Sequence, residues 1–356
     1  MKVRRLTRRL LAFVIVIGLY NFVVVVQRYP ASCSSDDVDE NGLIGRRLST
    51  PGIPYVYPDE VDLRIIVITF NRGASLETLL LSLDHLELDG DKASLEIWID
   101  RDPLSEAVDC ATLAVARDFV WSLGKKHVYA QRTHVGIYGQ WIDTWRPQPG
   151  TRELALILED DLTVSPYAYR WLKAVHRKYG SRKDVAGYTL QSEDVNLATG
   201  VGRWYSLTGP AADMAFMYKR IGTWGYAPHP EVWRRFQDWF HAVRTKPDFR
   251  PYVDKASIIT KWYRDLEVQG RESSMWSMWH VYYSDQMALF TIYNNLQTSA
   301  PGDHVALVEN RKELGLHFQG PFLRWLRRSK LMTSWSDGYV DVPDFPVRYD
   351  WDGTVL

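Results

Sequence analysis

The run Leu154-Ala155-Leu156-Ile157-Leu158-Glu159-Asp160-Asp161-Leu162-Thr163-Val164-Ser165-Pro166 constrains the fold more than any other stretch. Its five apolar residues read as a strand buried on both faces, ended by three successive carboxylates. Pro166 then predicts the start of a helix, since proline suits the first helical position. Crowded carboxylates are costly unless a cation neutralises them, and hard oxygen ligands suit Mg2+ or Mn2+. Such ions usually complete their shell with substrate phosphates and water. The pattern therefore predicts a metal and diphosphate site at the C-terminal edge of an α/β sheet. The competing reading is an acidic helix N-terminus, where carboxylates complement the helix dipole.

The rest of the globular part supports such a sheet. Strands are expected at Arg64–Phe70, Leu95–Ile99, His127–Gln131 and Leu154–Leu158, with helices at Ser75–Leu86, Glu106–Leu123 and Tyr138–Trp145. Strands alternating with helices imply right-handed βαβ units. Their C-terminal ends, Thr69-Phe70-Asn71-Arg72-Gly73, Asp100-Arg101-Asp102 and Glu159-Asp160-Asp161, then lie on one edge and converge on one ligand. There is no Gly-x-Gly-x-x-Gly, no P-loop and no Gly-x-Ser-x-Gly elbow. Phosphate neutralisation must come from the metal and Arg72, as in a nucleotide-sugar site.

The amino terminus predicts a compartment. Lys2, Arg4, Arg5, Arg8 and Arg9 form a basic tail (1–9) ahead of an apolar run, 10–26. At about 1.5 Å per residue that run spans most of a bilayer core of roughly 30 Å. It is long for a cleaved signal, although Ala31-Ser32-Cys33 keeps cleavage open. The reading is an uncleaved anchor with its basic end in the cytosol, a single-pass type II topology. Residues 27–62 read as a stem linker rich in Ser, Asp, Gly and Pro, 63–320 as the globular domain, and 321–356 as a tail. Within that tail Arg324, Arg327, Arg328 and Lys330 read as a solvated helix face.

The chain carries 43 basic and 43 acidic residues; without the five basic residues before Leu10, the remainder holds 38 basic. A mildly acidic domain is a poor match for polyanions, so no nucleic-acid partner is expected. Two cysteines, Cys33 and Cys110, make no disulfide scaffold. Their pairing is not expected, because one sits in the stem and the other in a helix.

Ile65 to Arg72, Trp98-Ile99-Asp100 and Glu159-Asp160-Asp161 resemble the nucleotide-binding half of glycosyltransferases with the GT-A fold. The resemblance is strongest to the N-acetylglucosaminyltransferase I group and its protein O-mannose relatives. It covers residues 63–165 well and 200–320 loosely. It implies a Rossmann-like mixed, mostly parallel sheet flanked by helices, behind the transmembrane anchor. It further implies Mn2+ (or Mg2+) held by Asp161 and a nucleotide-sugar donor such as UDP-GlcNAc. Arg72 and Asp100 would contact the uridine, with Glu159 and Asp160 beside the donor. The acceptor would be a glycan or glycoprotein, the reaction inverting, and the compartment the Golgi lumen, with the endoplasmic reticulum as the alternative. The class-level alternative is an inactive, membrane-anchored carbohydrate-binding protein on the same scaffold.

Further residues are assigned by the same likeness. Gly222-Thr223-Trp224-Gly225 resembles the loop near the donor sugar, where Trp224 stacks on a sugar face or else packs in the core. Trp233, Phe236 and Phe240, at i, i+3 and i+7, read as a core stripe. Asp285 within Trp276–Met287 resembles the base-bearing segment, its other reading being a helix cap beside Ser284. His280 and two tyrosines nearby depart from the family pattern. Asp238 is the second candidate base. His317 is either a late metal ligand or a packed histidine, and His134 a lining residue of the donor pocket.

Overall fold

A computed structural model describes residues 57–192, 213–296, 305–311, 313, 330–335 and 340–356. The proposed anchor at 10–26, most of the stem, Cys33, His317 and the basic cluster at 324–328 lie outside the described residues. Within them, no helix is long and apolar enough to cross a membrane.

The strands β1 (Leu63–Thr69), β2 (Ala93–Ile99), β3 (Gly124–Ala130) and β4 (Leu154–Glu159) form parallel neighbours in the order β4-β1-β2-β3. Every residue of β1 and β2 is buried, which is why both read as nearly unbroken apolar runs. β3 lies at the sheet's edge, and its Lys125 and Lys126 discourage further pairing there. The sheet continues beyond β4 through β8 (Tyr226–Pro228), β6 (Val185–Ser192), β9 (Phe290–Asn294), β7 (Phe216–Tyr218) and β13 (Arg348–Tyr349). β8 is antiparallel to both β4 and β6, so β6 runs with β4, and β9 pairs parallel with β6. β7 returns antiparallel to β9. The mixed, mostly parallel sheet is the one the alternation predicts.

Side-chain alternation along β4 builds both cores. Leu154, Leu156 and Leu158 join the layer under helices α1 (Gly73–Leu83), α2 (Cys110–Asp118) and α4 (Ala168–Tyr179). Ala155 and Ile157 face the opposite layer, under α3 (Gly136–Asp143), α5 (Pro230–Val243) and α7 (Ser277–Gln286). Trp233, Phe236 and Phe240 of α5 are fully buried there, as their spacing predicts. Helix α6 (Ser257–Val268) packs on α7 through Tyr263, Met278 and Val281.

Three expectations are corrected. The chain after Asp161 does not run directly into the helix expected from Pro166. It continues as β5 (Leu162–Val164), paired antiparallel with β11 (Val308–Asn310), and α4 starts at Ala168. Leu162 and Val164 are buried and alternate with Thr163, a strand pattern that ends before Pro166, and the expected helix follows two residues after that proline. The carboxylates therefore do not sit at a helix N-terminus. The helix expected over Glu106–Leu123 is only α2, capped by Asp109, whose carboxylate accepts from the Thr112 amide at 2.8 Å. Cys110, buried in its first turn, is disulfide-bonded to a partner outside the described residues, against the expectation of an unpaired cysteine.

Candidate active site

The site is assembled from the end of β1, the turn between β4 and β5, and a segment far downstream. Gly73 opens α1 against α2, where an added Cβ would lie 3.1 Å from the backbone of Ala111. Glycine thus permits the helix approach, and Arg72 at the N-cap position of α1 faces the turn. Its guanidinium pairs with Asp160 Oδ1, and Nη1 lies 3.5 Å from Asp161 Oδ2. Thr69 Oγ1 donates to Asp160 Oδ2 at 2.7 Å, so both oxygens of Asp160 are matched.

Arg311, which no local pattern marks, braces the same turn from behind. Its amide donates to Asp161 O at 2.9 Å. Its Nη2 donates to Asp160 O at 2.6 Å and to Ser75 O and Oγ at 2.8 Å. Nη1 donates to Thr163 Oγ1 at 2.9 Å, and Nε meets Glu313 Oε1 at 2.6 Å. Ser75 Oγ also donates to Asp160 O at 3.0 Å. The carboxylate turn is thus a rigid element held by α1 and the residue after β11.

The three side chains diverge. Glu159 follows the alternation of β4 to the α3 side, where Trp141 Nε1 donates to its Oε1 at 3.0 Å. Burial, reinforced by the charge of Asp161, pushes the Glu159 carboxyl up to about 8. Burial also raises Asp160 to about 6 against the pull of Arg72. Asp161 is raised by burial too, with Arg72 and then Arg311 opposing. Its Oδ1 is buried and has no hydrogen-bond partner among the described residues. Orphaned carboxylate oxygens are rare and costly in folded proteins. This one fits a hard divalent cation.

No group of three or more His, Cys, Asp or Glu side chains among the described residues is arranged to hold a metal. The triplet is not a closed cage. It fits an ion held by Asp161 that takes its other ligands from phosphate oxygens and water.

Asp100 reaches the same edge but is engaged by backbone. Its two oxygens accept from the amides of Val135 and Gly136, both at 2.9 Å, which caps α3. Gly136 has φ +62°, a left-handed conformation that glycine adopts freely. His134 Nδ1 lies 3.1 Å from Asp100 Oδ2 and 2.7 Å from Arg101 O. Trp224 is two residues ahead of Tyr226, which pairs with Ile157, so its loop reaches the edge where β4 ends. It is half-buried against the α1 layer.

Asp285 is not at this edge. It belongs to the last turn of α7, five residues before β9 begins, and β9 starts level with the first residue of β6. Because β6 runs with β4, that is the edge where the strands begin, opposite Glu159–Asp161. The direction of β9 decides this, and Trp351 Nε1 occupies Asp285 Oδ1 at 3.1 Å. Asp285, expected as the base, is thus placed away from the carboxylate turn. Asp238 is exposed on α5 and paired with Arg146 at 2.6 Å, a surface position.

No protein-family model and no curated protein matches the chain. Among solved structures it is similar to residues 1–349 of TarS from S. aureus, with TM-score 0.30 and 14% identity over 45% of this chain. It spans 41% of that protein chain, less than half. A second is the mannosyltransferase PcManGT from Pyrobaculum calidifontis, solved in complex with GDP-Man and Mn2+. There the TM-score is 0.36 and the identity 12%, over 65% of this chain and 73% of that one.

Proposed function

We propose that the chain is a metal-dependent glycosyltransferase that binds a nucleotide-sugar donor at the β1–β4 edge. The observation that carries this reading is the unpartnered, buried Asp161 Oδ1, beside an Asp160 held by Arg72 and Thr69. A divalent ion bound there would neutralise charge on the leaving diphosphate, the chemistry that glycosyl transfer from a nucleotide sugar requires. The chain's own residues would divide the remaining work. Arg72 would bind phosphate, Arg311 would hold the turn rigid, and the Trp224 loop would line the edge. UDP-GlcNAc as donor is supported by the likeness of the three strand ends to the GT-A group. The lumenal, Golgi type II topology is supported by the basic tail and the apolar run 10–26.

The displacement of Asp285 to the far edge favours one second reading. In it the scaffold binds a nucleotide sugar or glycan without turnover, because Asp285 lies at the edge opposite the carboxylates. Calorimetric titration of the purified chain with UDP and GDP, with and without Mn2+, tests the first step. Binding that requires Mn2+ supports the donor site, and donor hydrolysis or transfer to a glycan panel separates enzyme from binder. Absence of binding of either nucleotide by a folded sample would overturn the metal and diphosphate reading.

A further inference from the structure

The carboxylate turn already contains a cation. Among the described residues Arg72 is the one guanidinium paired with both Asp160 and Asp161, and its side chain is 26% exposed while theirs are 2% and 8%. The two arginines of this turn are used differently. Arg311 is occupied by the backbone oxygens of Leu162, Ser75 and Asp160 and by the side chains of Thr163 and Glu313, and touches neither carboxylate of the turn. Arg72 makes its side-chain contacts with carboxylate oxygens alone. It approaches from the solvent side, on a residue just outside α1. One of the two groups it contacts, Asp161, is the one a divalent ion would use, and the other lies directly beside it.

We infer that Arg72 is an exchangeable counter-cation. In the metal-free protein it holds Asp160 and Asp161, and on donor loading it moves from the carboxylates to the diphosphate. This rests on the metal and diphosphate reading above and deepens it. Two buried carboxylates without a counter-charge would be costly, so a resident cation keeps the empty turn folded. The same cation repels an incoming Mn2+ and competes for its ligands. A diphosphate removes the conflict by offering Arg72 a bidentate partner of its own. Free Mn2+ is therefore bound weakly, and metal and nucleotide bind best together. Linkage requires the coupling to be equal in both directions.

The consequence is a pair of effects of opposite sign. In Arg72→Gln, affinity for Mn2+ without nucleotide should rise about tenfold, within the usual range of coupling between sites. Affinity for UDP or GDP at saturating Mn2+ should fall by about tenfold or more, since a charged contact to phosphate is lost. Arg72→Lys keeps the charge without the fork, and should retain weak Mn2+ binding while losing part of the nucleotide affinity.

The test is Mn2+ binding followed by electron paramagnetic resonance and calorimetry on the full chain, wild type and both variants, alone and with UDP or GDP. Circular dichroism and thermal melts establish that each variant is folded. Tighter free Mn2+ binding in Arg72→Gln, with weaker nucleotide binding, supports the exchange. Unchanged or weaker Mn2+ binding in Arg72→Gln, in a protein whose wild type binds Mn2+ with nucleotide, overturns it and leaves the donor site standing. Failure of the wild type to bind Mn2+ with any nucleotide overturns the donor site itself. If Arg72→Gln does not fold, Arg72→Lys decides, because a Mn2+ affinity tenfold above wild type there contradicts a role for the charge.

Discussion

Both ends of β1 set one arginine against buried carboxylates, and they differ in how completely the atoms are matched. At the beginning of the strand, Arg64 is fully buried between Glu96 and Glu153. Its Nε and Nη2 meet Glu153 at 2.9 and 2.8 Å, Nη1 meets Glu96 at 2.6 Å, and Nη2 also donates to Asp59 O at 2.8 Å. Trp98 and Trp145 donate to the remaining acceptor sites of Glu96 and Glu153 at 3.1 and 3.0 Å, and the ring of Tyr57 covers the guanidinium. At the other end Arg72 is partly exposed, and Asp161 keeps an oxygen unmatched. A saturated network holds strands together. An unsaturated one leaves room for a ligand at a cost in stability.

The largest effect that would break this contrast lies at the saturated end. Arg64→Met leaves two buried carboxylates uncompensated and should cost about 3–5 kcal/mol in urea unfolding. A loss under about 1 kcal/mol would show the network to be dispensable. At the unsaturated end, Asp161→Ala should reduce Mn2+-dependent nucleotide affinity at least about 100-fold, close to 2.7 kcal/mol, by calorimetry. Its melting temperature should stay level or rise, because burial of that carboxylate outweighs the pull of Arg72 and Arg311. Wild-type affinity in that variant would remove the metal from Asp161.

Glu159 gives a smaller and pH-dependent effect. Its folded-state carboxyl lies near 8, above the ordinary value of about 4.3, so the folded state keeps a proton that the unfolded chain releases. The stability it contributes is fully present below about pH 4.3 and is lost as pH rises toward 8. Metal-free protein should therefore lose stability from this group between pH 5 and 8, at most about 3–4 kcal/mol, and Glu159→Gln should not. Parallel pH profiles of the two proteins would contradict the assignment. The smallest effect belongs to Asp285→Asn. An amide oxygen still accepts from Trp351, so stability should change by less than about 0.5 kcal/mol and nucleotide binding not at all. A selective loss of transfer would return Asp285 to the reaction.

In the half of the fold that carries β1 to β4, β1, β2 and β4 are legible because buried strands read as apolar runs, β3 only by its place in the alternation, and their order places the polar ends on one edge. The relation of the triplet to its surroundings is less so. β5 and β11 are three residues each and pair across more than a hundred positions, so neither Pro166 nor Asn310-Arg311 announces them. Asp285 shows the same limit from the other side. Its helix is readable, but whether that helix ends at the carboxylate edge depends on β9 pairing parallel with β6. Asp100 is legible from its position at a strand end, while its engagement with the amides of α3 follows from a loop conformation that Gly136 adopts at φ +62°.

The brace supplied by Arg311 has a consequence for biosynthesis. The carboxylate turn leaves the ribosome about 150 residues before the arginine that fixes it, and at about 5–20 residues per second that is a delay of roughly 8–30 s. During that interval β1 to β4 can pair while Asp160 and Asp161 lack their rear support. A chain interrupted before Val308 would keep the first sheet half and hold its acidic turn unbraced. Competence to bind a charged ligand is thereby reserved for molecules whose synthesis has run past the second half of the domain.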